Sequence, residues 1–148
     1  MSVDVRRMVE TMGASLMGGQ VLTLSSDYQQ RTGFTLGTLL LFAAQEWEQT
    51  AERFVRENAA LRGIFATAEP VVRDRALRER VAVAARSQDP SLRISDLRSA
   101  HKELRALLID LHAHVEQLDD PQAAELDVEI WRELAASTER RLLPGSPF

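Results

Sequence analysis

One apolar stripe constrains the fold of this chain more than any other feature, because it continues for about nine helical turns. From Gly33 to Thr67, apolar or uncharged residues recur at alternating spacings of three and four, namely Leu36, Leu40, Ala43, Trp47, Thr50, Phe54, Asn58, Leu61 and Phe65. This period places all of them on one face of an α-helix. Thr32 is expected to cap the N-terminus of the helix, and Pro70 prevents it from continuing undisturbed.

Two further helices are predicted in the second half of the chain. The segment from Asp96 to Leu118 follows Ser95 as its expected N-cap and carries a heptad seam, made of Leu97, His101, Leu104, Leu108, Leu111, Val115 and Leu118. Asp120 and Pro121 form a cap-then-proline start for a helix that runs to about Leu142.

Weaker helical patterns fill most of the remaining chain. A short arginine-rich helix is predicted between Pro70 and Ser87, and the N-terminal segment 3–30 also has helical spacing. We expect the N-terminal helix to kink or break at Gly18 and Gly19, since each glycine destabilises a helix by roughly 1 kcal/mol relative to alanine. Only residues 21–24 resemble a strand.

The predicted class is therefore all-α. Short connections favour antiparallel neighbours, so the expected architecture is an antiparallel four-helix bundle with one additional short helix. Residues 1–142 are expected to form this single domain, and residues 143–148 a flexible C-terminal tail.

Charge is distributed unevenly along the chain. Four charged residues lie in residues 1–10, two (Asp27 and Arg31) in residues 11–45, and 34 in residues 46–148. A helix that faces water normally carries charges on that face, so segment 11–45 is expected to be shielded. The hypothesis is a homodimer or higher oligomer with interface residues Leu16, Leu22, Phe34, Leu36, Leu39 and Leu40. The alternative is a hairpin buried inside a monomer.

Composition excludes several classes of protein and site. The chain has no cysteine, which rules out disulfides, thiolate metal sites and cysteine nucleophiles. A net charge of −4 argues against binding to nucleic acid. The uncharged segment from Gly33 to Ala44 is shorter than the roughly 20 residues that a membrane-spanning helix needs. Asp4 and Glu10 interrupt any apolar core of a signal peptide, so a cytoplasmic location without membrane attachment is expected.

No catalytic or cofactor motif is recognisable. The chain contains no Glu-x-x-His pattern, and His101, His112 and His114 fall on one predicted helix, so neither a metal site nor a cofactor is expected. Nucleophile elbows and phosphate-binding loops are also missing, and no residue is assigned a catalytic role.

Four residues are the candidates for ligand binding: Tyr28, Glu46, Trp47 and His101. His101 occupies a seam position, where a buried imidazole must find hydrogen-bond partners, and Glu46 could approach it across a helix pair. Arginines in segment 73–86 form either a solvated face or a site for an anion.

Three functional interpretations follow. The leading one is a non-enzymatic helical bundle that works through self-association or a protein partner. The first alternative is a bundle that binds a small molecule in an apolar cavity between helices. The second alternative is an enzyme of unknown reaction that uses Glu46 and His101.

Overall fold

The computed structural model describes residues 5–18 and 27–142 and places five α-helices there. They are α1 (Val5–Met17), α2 (Asp27–Ala68), α3 (Arg75–Ala85), α4 (Ile94–Val115) and α5 (Pro121–Glu139). Over these two ranges there is no strand, which confirms the all-α class. None of these helices combines the length and the apolar character needed to cross a bilayer.

The N-terminal boundary of α2 differs from the sequence-based expectation. The helix begins at Asp27, so Thr32 is an interior residue and not the N-cap. Its hydroxyl donates a 2.8 Å hydrogen bond to the carbonyl oxygen of Tyr28, which lets a threonine be accommodated one turn inside a helix. The expected break at Gly18 agrees with the end of α1 at Met17, whereas residues 21–24 lie outside the described residues.

The caps of the later helices are partly as expected. Asp120 caps α5 by accepting a 2.9 Å hydrogen bond from the backbone N–H of Gln122, and Pro121 is the first helical residue. In α4, however, Arg93 occupies the N-cap position and Ser95 lies inside the helix. The Ser95 hydroxyl donates instead to the neighbouring carboxylate of Asp96, at 3.0 Å.

The chain divides into two compact units, and the boundary lies within α2. The described part of the first unit is residues 5–18 and 27–50; the second unit is residues 51–142. The expected single domain over residues 1–142 stays a prediction, and the expected tail lies outside the described residues.

The second unit holds the main hydrophobic core. The C-terminal part of α2 contributes to it together with α3, α4 and α5, and α4 packs against both α3 and α5. Its members include Leu61, Phe65, Val81, Leu104, Leu108, Leu111, Leu126 and Ile130. The heptad seam predicted for α4 is buried from Leu97 to Val115, whereas Leu118, which was expected to end the helix, lies beyond its C-terminus and is half-buried.

In the first unit, α1 crosses α2 at two glycines. A Cβ atom added at Gly37 would lie 2.6 Å from the carbonyl oxygen of Gly13, and one added at Gly13 would lie 2.9 Å from that of Gly37. Neither position can accept a larger residue unless the helices separate.

This crossing rotates the buried face of α2 away from the predicted stripe. Gly33, Gly37 and Ala44 are buried, whereas Leu36 and Trp47 of the stripe are exposed. The backbones approach most closely where side chains are smallest, which leaves the large apolar residues one position away on the outside.

Candidate functional site

A cluster of buried polar side chains interrupts the apolar surface of α2 in the second unit. Glu57 is 1% exposed and Asn58 is fully buried. His101 on α4 and Ser137 on α5 are buried beside them. Buried polar groups need partners, and these residues supply them to one another.

Glu57 is the acceptor at the centre of this cluster. Its Oε1 accepts a 3.1 Å hydrogen bond from the Ser137 hydroxyl, and its Oε2 lies 3.0 Å from Nη2 of Arg141 and 3.3 Å from Nε2 of His101. The guanidinium of Arg141 also reaches Oε1 through Nε at 3.4 Å. One carboxylate thus connects α2, α4 and the C-terminal end of α5.

Asn58 orients His101 from the other side. Its amide nitrogen donates to the carboxylate of Asp89 at 2.9 Å and to the carbonyl oxygen of Leu97 at 3.3 Å. Since both of these partners are acceptors, the amide oxygen must face Nδ1 of His101, 3.0 Å away. The ring nitrogen Nδ1 is therefore the donor to Asn58. The Phe54 ring packs against the imidazole with a centroid distance of 5.3 Å.

The electrostatic environment shifts both ionisable groups at the centre. Burial alone raises the pKa of Glu57, but the hydrogen bond and charge of Arg141, helped by Ser137 and His101, outweigh it and hold the pKa below its usual range. Burial, together with the positive charges of Arg141 and other nearby arginines, lowers the pKa of His101 despite the opposing charge of Glu57. The arrangement is an anionic glutamate paired with an arginine next to a histidine whose lowered pKa favours the neutral ring. In that form Nδ1–H donates to Asn58 and Nε2 carries no proton, so the 3.3 Å contact between Nε2 and Glu57 is a hydrogen bond only when His101 is protonated.

These shifts predict how stability depends on pH. The pKa of His101 is lower in the folded state than in the unfolded chain, so its contribution is present above the unfolded value and is lost as pH falls through the folded value. Glu57 acts in the same direction at lower pH, whereas burial raises the pKa of Glu133, which therefore opposes them. We expect His101→Gln to flatten the decline in unfolding free energy below about pH 6.5.

Urea denaturation at a series of pH values measures this effect. Glu133→Gln is the matched control, because it removes the opposing contribution and should steepen the decline. An unchanged pH profile in His101→Gln would contradict the assigned shift.

The sequence-predicted ligand residues do not share one unit. His101 belongs to the polar cluster of the second unit, while Tyr28, Glu46 and Trp47 belong to the first. Tyr28 and Trp47 are exposed, and a carboxylate oxygen of Glu46 accepts a 3.0 Å hydrogen bond from the Thr50 hydroxyl. The carboxylate at His101 is that of Glu57, so a pairing of His101 with Glu46 stays a prediction without support from these contacts.

Most of the predicted interface residues are described. Phe34, Leu36 and Leu39 are exposed, Leu16 and Leu40 are half-buried, and Leu22 lies outside the described residues.

Sequence reasoning missed Glu57, Ser137 and Arg141. Asn58 was already identified as a polar member of the apolar stripe. Of the three missed residues, only Glu57, its neighbour in the sequence, could have been suspected of belonging to the same polar cluster. The spacing of Ser137 and Arg141, one turn apart near the end of the last helix, matches their common contact with Glu57. No pattern along the chain, however, relates Ser137 and Arg141 to Glu57, which lies 80 and 84 positions earlier.

A second group joins the C-terminal end of α4 to α5. Ligand-type atoms of His112, Glu116 and Asp127 all lie within 4.8 Å of one another, a spacing that could hold a cation. Nε2 of His112 lies 2.7 Å from an Asp127 oxygen, so a hydrogen-bonded histidine–carboxylate pair accounts for this geometry without an ion.

The arginines of segment 73–86 have partners within the protein. Four of them form salt bridges, with the pairs Arg73–Asp120, Arg75–Glu79, Arg80–Asp110 and Arg86–Glu69. Arg78 donates to the carbonyl oxygen of Val72 at 2.7 Å. These contacts favour a solvated, internally paired face over an anion site in this segment.

Comparison with known proteins adds no relative: no family model matches the chain, and neither a curated protein nor a solved structure shows a significant match.

Proposed function

We propose that this chain is a non-enzymatic helical protein that acts through self-association, as a homodimer joined by the apolar surface of its first unit. The observation that carries the proposal is the exposure of eight large apolar side chains in the described part of that unit, namely Val5, Met8, Met12, Tyr28, Phe34, Leu36, Leu39 and Trp47. Large apolar side chains that are exposed together, in a contiguous patch, are typical of an interaction site.

A groove on this unit offers a place for side chains of a partner. It has a volume of about 660 Å³ and is lined mainly by apolar groups, among them Met8, Met12, Leu16 and Leu40. Unbranched methionines adapt their shape to a partner more readily than other apolar side chains do.

A second copy of the chain is the occupant that the charge pattern favours. Segment 11–45 carries only Asp27 and Arg31, and in the part of α1 before it Arg6 is paired with Glu10, so two identical surfaces can meet with little repulsion between like charges even though Arg7 lines the groove. A strongly charged partner would find few complementary groups there. Twofold dimers are also the commonest assemblies of soluble proteins.

The proposal also includes the arrangement of the helices. The chain would form an antiparallel four-helix bundle with one additional short helix, and it would associate through the first unit. We also propose that the protein is cytoplasmic and binds neither nucleic acid nor a membrane.

The solution mass tests the self-association. Sedimentation velocity between about 1 and 100 µM should give a species of twice the 16.6 kDa chain mass, with a proportion that rises with concentration. Leu39→Glu should shift the population to monomer, because it would place two glutamates in a desolvated interface. Leu39 is 57% exposed, so the folded monomer should tolerate the change.

Val83→Glu is the matched control, since it introduces the same charge at an exposed apolar position of α3, in the other unit. It should remain dimeric, and circular dichroism should show equal helicity for both variants. A monomeric wild-type chain at the highest concentration would overturn the proposal. So would equal dissociation of the two variants, or association with a different protein while the chain alone stays monomeric.

A further inference from the structure

A groove on the second unit concentrates positive charge. It has a volume of about 630 Å³, within the range typical of small-molecule sites. Five cationic side chains line it, namely Arg53, Arg98, Lys102, Arg105 and Arg141, and no carboxylate among the described residues does so. The excess is local, because the whole chain has a net charge of −4.

Three of these cations repeat along one face of α4. Arg98, Lys102 and Arg105 follow one another at spacings of four and three, so their side chains are neighbours. Like charges at such spacings destabilise a helix, and none of the three forms a salt bridge with any residue in ranges 5–18 and 27–142. An anion in the groove would relieve this repulsion.

Arg141 supplies a positioned guanidinium at the same groove. Glu57 accepts hydrogen bonds from its Nε and Nη2 atoms, which uses two of its five N–H donors and restricts the side chain. The Arg141 side chain is 50% exposed, so donors remain available to a ligand. Because Glu57 is buried and paired with Arg141, its charge offsets that of Arg141, whereas Arg98 and Lys102 form no salt bridge with any residue that the structure describes.

The groove also has an apolar part. Phe54 and Ile109 line it together with the ring of His101, which packs against Phe54. A ligand that carries both an anionic group and an apolar or aromatic group would contact both parts of the groove.

We propose that this groove binds a small organic phosphate, with the phosphate held by the cations of α4 and Arg141 and the organic group against Phe54 and Ile109. A phosphate monoester presents three acceptor oxygens, which suits several separate donors better than a single carboxylate does. The site lies in the second unit and is independent of the proposed self-association, so either proposal can fail without the other.

Titration of the full chain with phenyl phosphate tests the site. Isothermal calorimetry measures the affinity, and amide chemical shifts of the ¹⁵N-labelled chain locate the binding. We expect saturable binding, with shifts concentrated around residues 98–109 and 141. Phenol, which has the same ring without the phosphate, should not bind. The double variant Arg98→Gln/Arg105→Gln should raise the Kd about tenfold or more, because each lost charge-assisted hydrogen bond weakens binding.

Arg132→Gln is the matched control, since Arg132 is an exposed arginine on α5 that does not line the groove. It should change the Kd less than about twofold. The proposal would be overturned by no saturation up to about 10 mM phenyl phosphate, by equal binding of phenol, or by equal effects of both variants. Binding to vesicles of anionic phospholipid without any binding of phenyl phosphate would also overturn it, because the ligand would then be a membrane surface.

Discussion

Phe65→Ala should lower the free energy of unfolding by about 3–5 kcal/mol. Phe65 is 0% exposed and belongs to the core cluster in which α2, α3, α4 and α5 meet. Its removal takes away a large apolar surface and leaves a cavity that four helices cannot close without moving. Chemical denaturation followed by circular dichroism measures the loss.

Two further variants separate cavity formation from a general effect of substitution. Phe65→Leu keeps most of the apolar volume and should lose clearly less stability than Phe65→Ala. Leu92→Ala removes an apolar side chain from an exposed position and should change the free energy by less than about 0.5 kcal/mol. Equal losses for Phe65→Ala and Leu92→Ala would show that Phe65 is not in the core.

The second large effect is expected at Asn58. Asn58→Asp preserves the shape of the side chain, but it replaces the amide donor by a carboxylate oxygen 2.9 Å from the carboxylate of Asp89 and 3.3 Å from the carbonyl oxygen of Leu97. A buried charge would then face only acceptors on this side. We expect a loss of about 3 kcal/mol at pH 7, the lower end for an uncompensated buried charge, since Arg62 pairs with Asp89 and offsets part of the repulsion.

The pH dependence of Asn58→Asp distinguishes charge from lost hydrogen bonds. Burial among acceptors raises the pKa of the introduced carboxyl above its unfolded value, so the penalty is present above the folded value and is relieved as pH falls through it. The difference in unfolding free energy between Asn58→Asp and wild type should therefore become smaller as pH falls. Asn58→Ala removes the same hydrogen bonds without adding charge and should lose about 1–3 kcal/mol, with a gap that does not narrow in this way.

If Asn58→Asp is as stable as wild type at pH 7, the amide does not hold His101 and Asp89 as described. If the difference in unfolding free energy between Asn58→Asp and wild type stays constant with pH, altered packing and not charge causes the loss of stability.

The long stripe on α2 shows where a helical period is sufficient to predict burial and where it is not. Leu61 and Phe65 are buried as predicted, because three other helices pack on that part of α2. Leu36 and Trp47 belong to the same stripe and are exposed, whereas α1 approaches α2 at Gly37, on the face where Gly33 and Ala44 are also buried. The period states which residues share a face, but the partner helix decides which face is covered.

The candidate site shows a similar division. The heptad seam predicted a buried histidine at position 101 that needs polar partners, and the structure confirms both points. The partners themselves come from distant parts of the chain: Glu57 and Asn58 from α2, and Ser137 and Arg141 near the end of α5. Spacing within one helix carries no information about these contacts, because they depend on how three elements pack.

The cationic groove of the second unit is lined by residues that are close in sequence and by residues that are far apart. The spacing of Arg98, Lys102 and Arg105 is a property of the sequence and could have been read as a positive face of one helix. Only the packed structure adds Arg53 and Arg141 to it and pairs four of the five arginines of segment 73–86 with carboxylates. Arginine content alone could not distinguish the two regions.

Local chemistry along the chain was thus enough to determine the all-α class, the cap of α5 and the apolar seam of α4, since helical period and capping act over a few residues. It was also enough to identify the poorly charged segment 11–45. The tertiary structure decided which face of α2 is covered in each unit, which carboxylate meets His101 and which cations line one groove of the second unit. Those outcomes depend on contacts between residues tens of positions apart, and the energy of such contacts is defined only once the helices have packed.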